Sequence, residues 1–127
     1  MSTQLVAGDG LATSEFWQVA GPAAEGTLMT FFPDPRKALE ASAVVKRFRE
    51  SKNEPEGYVI PTYAVVQTWV EAAKKAGTIN AADIARTLVA SRFTTALGTV
   101  GFDPQGDFTL PGYAMYRWSQ GNFAELR

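Results

Sequence analysis

The fold is indicated most clearly by residues 5–32, whose sequence is LVAGDGLATSEFWQVAGPAAEGTLMTFF. The apolar run over residues 4–7 predicts a buried strand that ends in the turn at residues 8–10. A short helix that ends at Ala20 is predicted after a cap at Thr13 or Ser14, and a second strand is predicted over residues 26–32. Strand, helix and strand in this order are typical of two parallel strands joined by a crossover helix. We therefore expect an α/β fold with a parallel sheet.

Three helices are predicted after this unit. The first begins at Asp34-Pro35 and runs for about four turns, with Pro35 in the first turn, where its missing N–H is tolerated. The residues from Tyr58 to Pro61 are expected to be extended. The second helix, residues 62–76, carries apolar side chains over so wide an arc that we expect burial from two sides. The third is capped by Asn80.

Two hairpins are predicted at the end of the chain. The first has a strand over residues 99–102, a turn over 103–107 and a return at Phe108. The second joins residues 113–118 to Phe123. A complete doubly wound domain alternates strands and helices throughout. This order of elements therefore predicts part of a larger architecture.

The composition excludes several kinds of chemistry. The chain has 127 residues and a formal net charge of −1, and it contains neither histidine nor cysteine. Without these residues there is no Ser-His-Asp triad, Cys-His pair, imidazole proton shuttle or thiolate metal site. The 12 basic and 13 acidic residues leave no positive surplus for nucleic acid. Any catalysis would rest on carboxylates, lysine, tyrosine or a bound cofactor.

Neither a membrane span nor a secretory signal peptide is indicated. The longest apolar runs are far shorter than the about 20 residues that cross a bilayer. The start, Met1-Ser-Thr-Gln-Leu-Val, lacks the basic and apolar regions of a signal peptide. The sequence is therefore expected to be a mature chain, a cytosolic chain or a piece of a longer one.

Asp9 is the first candidate binding residue. It lies where a strand ends and a helix begins, which is the place where open α/β sheets bind ligands. Its carboxylate can pair with a ligand cation, or it can simply stabilise its own turn. The dinucleotide-binding motif requires glycine or alanine where this chain has Thr13, so that motif is not matched.

Tyr58 is the second candidate binding residue. Tyr58 precedes a helix and lies between Gly57 and Pro61, where an aromatic ring can form a wall of an apolar ligand pocket.

Asp103-Pro-Gln-Gly-Asp107 superficially suggests a calcium loop. It lacks the alternating ligands and the terminal glutamate of that motif, so a tight turn is predicted and no metal site.

Four passages in this order resemble the leucine/isoleucine/valine-binding receptors of ABC transporters, which have the type I periplasmic-binding-protein fold. The passages are Leu5–Leu11 with Ala23–Leu28, Pro61–Gln67, Val100–Asp107 and Tyr113–Trp118. They resemble the "GG(E/D)G … AAEG", "TYAAVQ" and "FDxxGD" motifs and the closing strand of that family. The resemblance covers about the last third of such a receptor. It implies a partial α/β fold, with a Rossmann- or flavodoxin-like parallel sheet, helices and C-terminal β-hairpins, that is incomplete as a monomer.

The resemblance implies a function and two binding residues. Receptors of this family clamp an amino acid between two lobes and deliver it, in the periplasm, to a membrane permease. The acidic residue of the first motif binds the ligand ammonium, a role that falls to Asp9. An aromatic residue before the "TYAAVQ" helix borders the side-chain pocket, a role that falls to Tyr58. No catalytic residue, cofactor or metal is implied.

The resemblance also implies a division of the chain. Residues 1–32 and 110–127 correspond to the second lobe, and residues 33–109 to the first lobe. Both lobes would then leave sheet edges and apolar faces uncovered, so we expect a homodimer or higher oligomer. A stand-alone ligand-sensing or interaction domain derived from the family is an alternative function. An enzyme that uses Asp9 with a bound cofactor is a third, weaker hypothesis.

Overall fold

The computed structural model describes residues 3–109 and 112–126, which form two units. Of the described residues, 3–34 and 112–126 belong to one unit and 35–109 to the other. The helices and strands are, in chain order, β1 (Val6–Ala7), α1 (Ser14–Ala20), β2 (Leu28–Phe31), α2 (Ser42–Glu50), α3 (Val59–Ala76), α4 (Ala81–Ala90), β3 (Arg92–Thr95), β4 (Gly98–Gly101), β5 (Ala114–Ser119) and β6 (Asn122–Glu125).

The first unit contains a four-stranded sheet with the order β1-β2-β5-β6. The strands β1 and β2 are parallel and are connected through α1, so the predicted strand-helix-strand unit is confirmed. The strands β5 and β6 form the predicted closing hairpin, and β5 pairs antiparallel with β2. The strand β1 is a two-residue edge strand, with Leu5 and Val6 more than half exposed. The prediction that this strand is buried was therefore wrong.

The core of the first unit lies on one face of this sheet. Met29 and Phe31 of β2 and Tyr116 and Trp118 of β5 are buried there, and Ala12 completes the cluster. Alternate residues of these strands, such as Leu28 and Arg117, point to the opposite face and are more exposed. The period of two along each strand therefore separates a packed face from an open one.

The second unit begins with tight turns instead of the predicted helix. A 3₁₀ helix covers Pro35–Lys37, and α2 begins only at Ser42. Three successive short-range bonds, such as that from the Ala38 N–H to the Pro35 carbonyl, hold the intervening residues. Pro35, Ala41 and Val45 are buried, and the predicted start of α2 was wrong by about two turns.

The helix α3 begins earlier than predicted. It starts at Val59, so the expected extended stretch before Thr62 is helical. Pro61 lies in the first turn, where a backbone N–H would have no partner inside the helix. Gly77 ends the helix in the left-handed conformation, as predicted.

Burial along α3 is also one-sided. The buried side chains recur every four residues, at Ile60, Ala64, Thr68 and Ala72. The opposite face exposes its apolar side chains, namely Val65, Val66, Trp69 and Val70. The prediction that α3 is buried from two sides is therefore wrong for the described part of the chain, in which packing partners lie on one side of the helix.

The hairpin after α4 differs from the predicted one. The strand β4 pairs with β3 through a two-residue turn at Ala96-Leu97, and Phe102 and Phe108 form only an isolated bridge. The Thr95 hydroxyl donates to the Gly98 carbonyl at 3.0 Å and accepts from the Leu97 N–H at 3.0 Å. These side-chain bonds stabilise the turn, and sequence periodicity gave no indication of them. The cap of α4 is as predicted, because Asn80 Oδ1 accepts from the N–H groups of Ala82 and Asp83.

A lysine occupies a position at the end of α2 that favours glycine. The Asn53 N–H donates to the Phe48 carbonyl and the Lys52 N–H to the Arg49 carbonyl, which is the bonding of a Schellman motif. Lys52 takes the left-handed conformation that this motif requires, with φ of +59°. A side chain with a Cβ is strained there, whereas glycine is not.

Lys52→Gly is therefore expected to raise the free energy of unfolding by about 0.5–1 kcal/mol. Urea denaturation followed by circular dichroism measures the change. Lys46→Gly, in the interior of the same helix, is the control and is expected to lower stability by about 1 kcal/mol. A loss of stability for both variants would contradict the proposed strain at Lys52.

Candidate functional site

Asp9 lies immediately after β1 in the first unit. It is the first residue of a 3₁₀ helix, Asp9–Leu11, and its carbonyl accepts from the Ala12 N–H at 3.1 Å. The residue is partly buried. The short helix connects β1 to Thr13, the residue that precedes α1. The backbone therefore places a carboxylate at the carboxyl end of a parallel strand, where α/β sheets bind ligands.

Tyr58 lies in the second unit, at the N-cap position of α3. Its carbonyl accepts from the Thr62 N–H at 2.8 Å, which is the first bond of the helix. Gly57 has φ of +54°, a conformation that glycine adopts without strain, and it turns the chain into the helix. Tyr58 is 43% exposed. The helix thus anchors the backbone of Tyr58 and leaves part of its ring accessible to a ligand.

A carboxylate holds the loop that leads to Tyr58. Glu54 Oε2 accepts from Arg49 Nε at 2.7 Å, and Glu54 Oε1 accepts from Arg49 Nη2 at 2.9 Å and from Arg36 Nη1 at 3.2 Å. Pro55, the next residue, is buried. The hydrogen bonds from Arg49 lower the pKa of Glu54 from its ordinary value of 4.5, and the charges of Arg49 and Arg36 act in the same direction. This paired contact fastens the loop to the end of α2.

Glu54→Gln is expected to lower the free energy of unfolding by about 1 kcal/mol or less at pH 7, because the ion pairs are partly exposed. A lowered pKa in the folded state means that this stabilisation is present above pH 4.5 and is lost as the pH falls below it. The difference in the free energy of unfolding between the wild type and Glu54→Gln should therefore shrink as the pH falls below 4.5.

Urea denaturation at several pH values measures this difference in the free energy of unfolding. Glu50→Gln removes a carboxylate from the same end of α2, where Glu50 faces Lys46 at 3.8 Å, and it controls for the loss of one negative charge. A difference in stability between the wild type and Glu54→Gln that stays constant across the acid range would contradict a stabilising role for the ionised Glu54.

The segment 103–107 is a turn, as predicted. Asp103 Oδ1 accepts from the N–H groups of Gln105 and Asp107, at 2.9 and 2.8 Å. Gly106 has φ of +91°, which is the left-handed conformation expected from the sequence. The Asp103 carboxylate therefore stabilises its own turn. Among the residues that the structure describes, no cluster of acidic side chains suited to a metal ion is found.

A groove of about 560 Å³ lies beside α3 in the second unit. Apolar side chains from α3, including Val66 and Val70, form one wall, and Phe93 of β3 contributes to the other. Lys75 Nζ lies 4.8 Å from the centre of the Phe93 ring and donates to the Arg92 carbonyl at 3.3 Å. Sequence analysis missed this groove because the apolar residues of α3 were interpreted as core residues.

No helix in the ranges 3–109 and 112–126 is long and apolar enough to cross a membrane.

The comparisons with known proteins point to one family. The family model described as periplasmic binding protein matches residues 1–122. A protein of Brucella suis named Leu/Ile/Val-binding protein homolog 1 is 43% identical over 122 residues, which are 95% of this chain and 33% of the relative.

Two solved structures show the same fold. A leucine-binding protein of Thermotoga maritima matches with a TM-score of 0.83 and 23% identity, over 100% of this chain and 37% of that one. A branched-chain amino acid transporter substrate-binding protein of Streptococcus pneumoniae, in complex with isoleucine, matches with a TM-score of 0.78 and 24% identity, over 98% and 36%. The chain thus spans about a third of the length of these proteins. The expected partial type I fold and the family resemblance are confirmed.

Proposed function

Because the chain belongs to the periplasmic binding protein family, we propose that it supplies part of the amino-acid-binding component of an ABC transporter. The observation that carries this proposal is the position of Asp9, whose carboxylate follows a parallel strand at the start of a 3₁₀ helix. The relative that is 43% identical is named for binding leucine, isoleucine and valine. In this proposal the chain binds its ligand without transforming it.

Asp9 is proposed to bind the ligand's ammonium group. A carboxylate and an ammonium form a charge-assisted hydrogen bond that strengthens when water is excluded. Family members have glutamate or aspartate in this motif, and aspartate is one methylene shorter than the glutamate of the best-known members. The shorter side chain is expected to place the ammonium differently than in receptors with glutamate at this position, and hence to alter the preference among ligands.

Tyr58 is proposed to contact the side chain of the ligand. Its ring is partly exposed at the start of α3, and its backbone is held by the helix and by the loop that Glu54 fastens. An exposed aromatic ring on a fixed backbone offers apolar surface with little conformational entropy to lose on binding. This arrangement suits a ligand with an aliphatic or aromatic side chain.

Transport requires partners of the whole receptor, and these are proposed from the family. The receptor is expected to work in the periplasm and to deliver its ligand to a membrane permease. The same proposal assigns residues 1–32 and 110–127 to one lobe of the receptor and residues 33–109 to the other. The self-association expected from the sequence is retained as well.

The chain by itself is expected to bind amino acids weakly or not at all, since the resemblance places the ligand's carboxylate site in a part of the receptor that has no counterpart here. Closure on a ligand depends on contacts with both lobes. Calorimetry with leucine, isoleucine, valine and the aromatic amino acids measures this binding. A dissociation constant in the micromolar range for the isolated chain would contradict the expectation.

A receptor chimera tests the proposed function directly. The part of this chain that aligns with the Brucella suis relative replaces the matching third of that protein, and the product is titrated with the same amino acids. The proposal predicts binding of at least one of them. A chimera that is folded by circular dichroism and binds none of them, while the intact relative binds, would overturn the proposal.

A further inference from the structure

The loop between α2 and α3, residues 51–58, is held by contacts along its length. The Glu56 N–H donates to the Glu54 carbonyl at 2.9 Å, and the Val59 N–H donates to the Glu56 carbonyl at 3.2 Å. Pro55, which lies between the two glutamates, is buried. These contacts follow one another without a break from the middle of the loop into α3, so the two ends of this stretch are mechanically connected.

The carboxylate of Glu54 ties this loop to two earlier segments of the second unit. It accepts from Arg49 at the end of α2 and from Arg36 in the 3₁₀ helix before α2. The Arg36 side chain is only 23% exposed and that of Glu54 is 38% exposed, so this contact is partly shielded from water. Charge-assisted hydrogen bonds of this kind fix geometry as well as adding energy.

The negative charge of Glu54 also keeps the two arginines together. Oε1 of Glu54 accepts from Arg49 Nη2 at 2.9 Å and from Arg36 Nη1 at 3.2 Å, so both guanidinium groups lie against the same oxygen atom. A glutamine at this position can still accept hydrogen bonds, but it does not balance two positive charges. The arginines would then repel each other, and the loop would lose its fixed attachment.

We propose that Glu54 is a positioning residue of the binding site, which fixes Tyr58 through the loop and thereby sets how tightly the ligand's side chain is held. The inference rests on the proposed contact between Tyr58 and the ligand. Glu54 lies four residues before Tyr58, and its carboxylate is engaged by the arginines, so it acts through Tyr58 rather than on the ligand. A contact residue that is held in place before binding loses less entropy when the ligand arrives.

A double-mutant cycle in the receptor chimera tests this route from Glu54 to the ligand. Four chimeras are compared by calorimetry at pH 7: the unmodified one, Glu54→Gln, Tyr58→Ala and the double variant. The probe is whichever of leucine, isoleucine, valine and the aromatic amino acids the unmodified chimera binds most tightly. Glu54→Gln should raise the dissociation constant 3- to 10-fold when Tyr58 is present, and less than twofold when Tyr58 is replaced by alanine.

This dependence on Tyr58 separates positioning from general stability. A residue that only stabilises the fold would leave the affinity of the folded chimera unchanged in both backgrounds. Glu50→Gln is the matched control, because Glu50 is an exposed carboxylate at the same end of α2 that faces Lys46 at 3.8 Å. It should change the dissociation constant less than twofold.

Hydrogen exchange followed by mass spectrometry tests the attachment of the loop without a ligand. In the chimera, Glu54→Gln should speed exchange at least threefold in the peptide that contains the Glu56 and Val59 N–H groups, whose hydrogen bonds form the loop. The peptide that covers α4, Ala81–Ala90, should keep its rate. Equal exchange of the loop peptide in the two chimeras would overturn the anchoring by Glu54.

The affinities distinguish a wrong positioning residue from a wrong function. Unchanged affinity in the Glu54→Gln chimera, or the same loss with and without Tyr58, would overturn the role of Glu54 and leave the proposed function standing. A folded chimera that binds none of these amino acids would overturn the proposed function, and this inference with it.

Discussion

Trp118→Ala is expected to lower the free energy of unfolding of the first unit by about 3–5 kcal/mol. Trp118 is 1% exposed, and its ring lies 5.0 Å from that of Phe123, 5.5 Å from that of Phe16 and 6.2 Å from that of Trp17, measured between ring centres. Small domains are stable by only about 5–15 kcal/mol in total. The substitution should therefore leave the four-stranded sheet marginally folded, which urea denaturation and near-ultraviolet circular dichroism would detect.

Trp118→Phe is the matched variant. The indole Nε1 of Trp118 is buried and has no hydrogen-bond partner among the described residues. A buried donor without a partner lowers stability, so phenylalanine removes that penalty while it keeps an aromatic ring in the cluster. We expect Trp118→Phe to lose less than half as much stability as Trp118→Ala. Equal losses of stability for the two variants would contradict an unfavourable contribution from the buried indole N–H. A loss below about 1 kcal/mol for Trp118→Ala would contradict the role of Trp118 in the core.

Asp9→Asn in the receptor chimera is expected to weaken amino acid binding about 30- to 1,000-fold, or about 2–4 kcal/mol. Asparagine keeps the size of the side chain and one oxygen acceptor, but it removes the negative charge that balances the ligand's ammonium. The unbalanced ammonium in a site shielded from water accounts for most of the expected loss. Calorimetry with the ligand that the unmodified chimera binds measures the change.

Two further variants make this result specific. Glu15→Gln removes an exposed carboxylate from the first turn of α1, a few residues from Asp9, and should change the affinity less than twofold. Asp9→Glu keeps the charge and lengthens the side chain by one methylene, so it should retain binding and alter the preference among ligands. Unchanged affinity for Asp9→Asn would refute the proposed ammonium contact.

Local rules predicted the elements whose bonds are made by nearby residues. The closing hairpin, the cap at Asn80 and the turn at Asp103 follow from short motifs whose hydrogen bonds close within a few residues. The parallel pair β1 and β2 joins distant residues, such as Val6 and Leu28, and was predicted from the order strand, helix, strand. The starts of α2 and α3 were predicted incorrectly. Pro35 and Ala41 are buried in the turns before α2, and local propensity does not include that packing.

The candidate site is predictable from the sequence only as two separate residues. The positions of Asp9 at a strand end and of Tyr58 before a helix follow from the turn and helix patterns around them. Glu54 was not predicted as a support of Tyr58, because its two arginine partners lie 5 and 18 residues away along the chain. Ion pairs of that kind depend on how α2 and its flanking turns pack, which has no repeating pattern in the sequence.

The amino-acid sequence by itself determined the fold class, the family and the absence of histidine and cysteine chemistry, because these depend on composition and on motifs of a few residues. Only the tertiary structure decided which apolar residues are buried. The pattern of α3 predicted burial from two sides, whereas Ile60 and Ala64 are buried and Val66 and Trp69 are exposed. Helical periodicity shows which side chains share a face, and the burial of that face depends on whether another element packs against it.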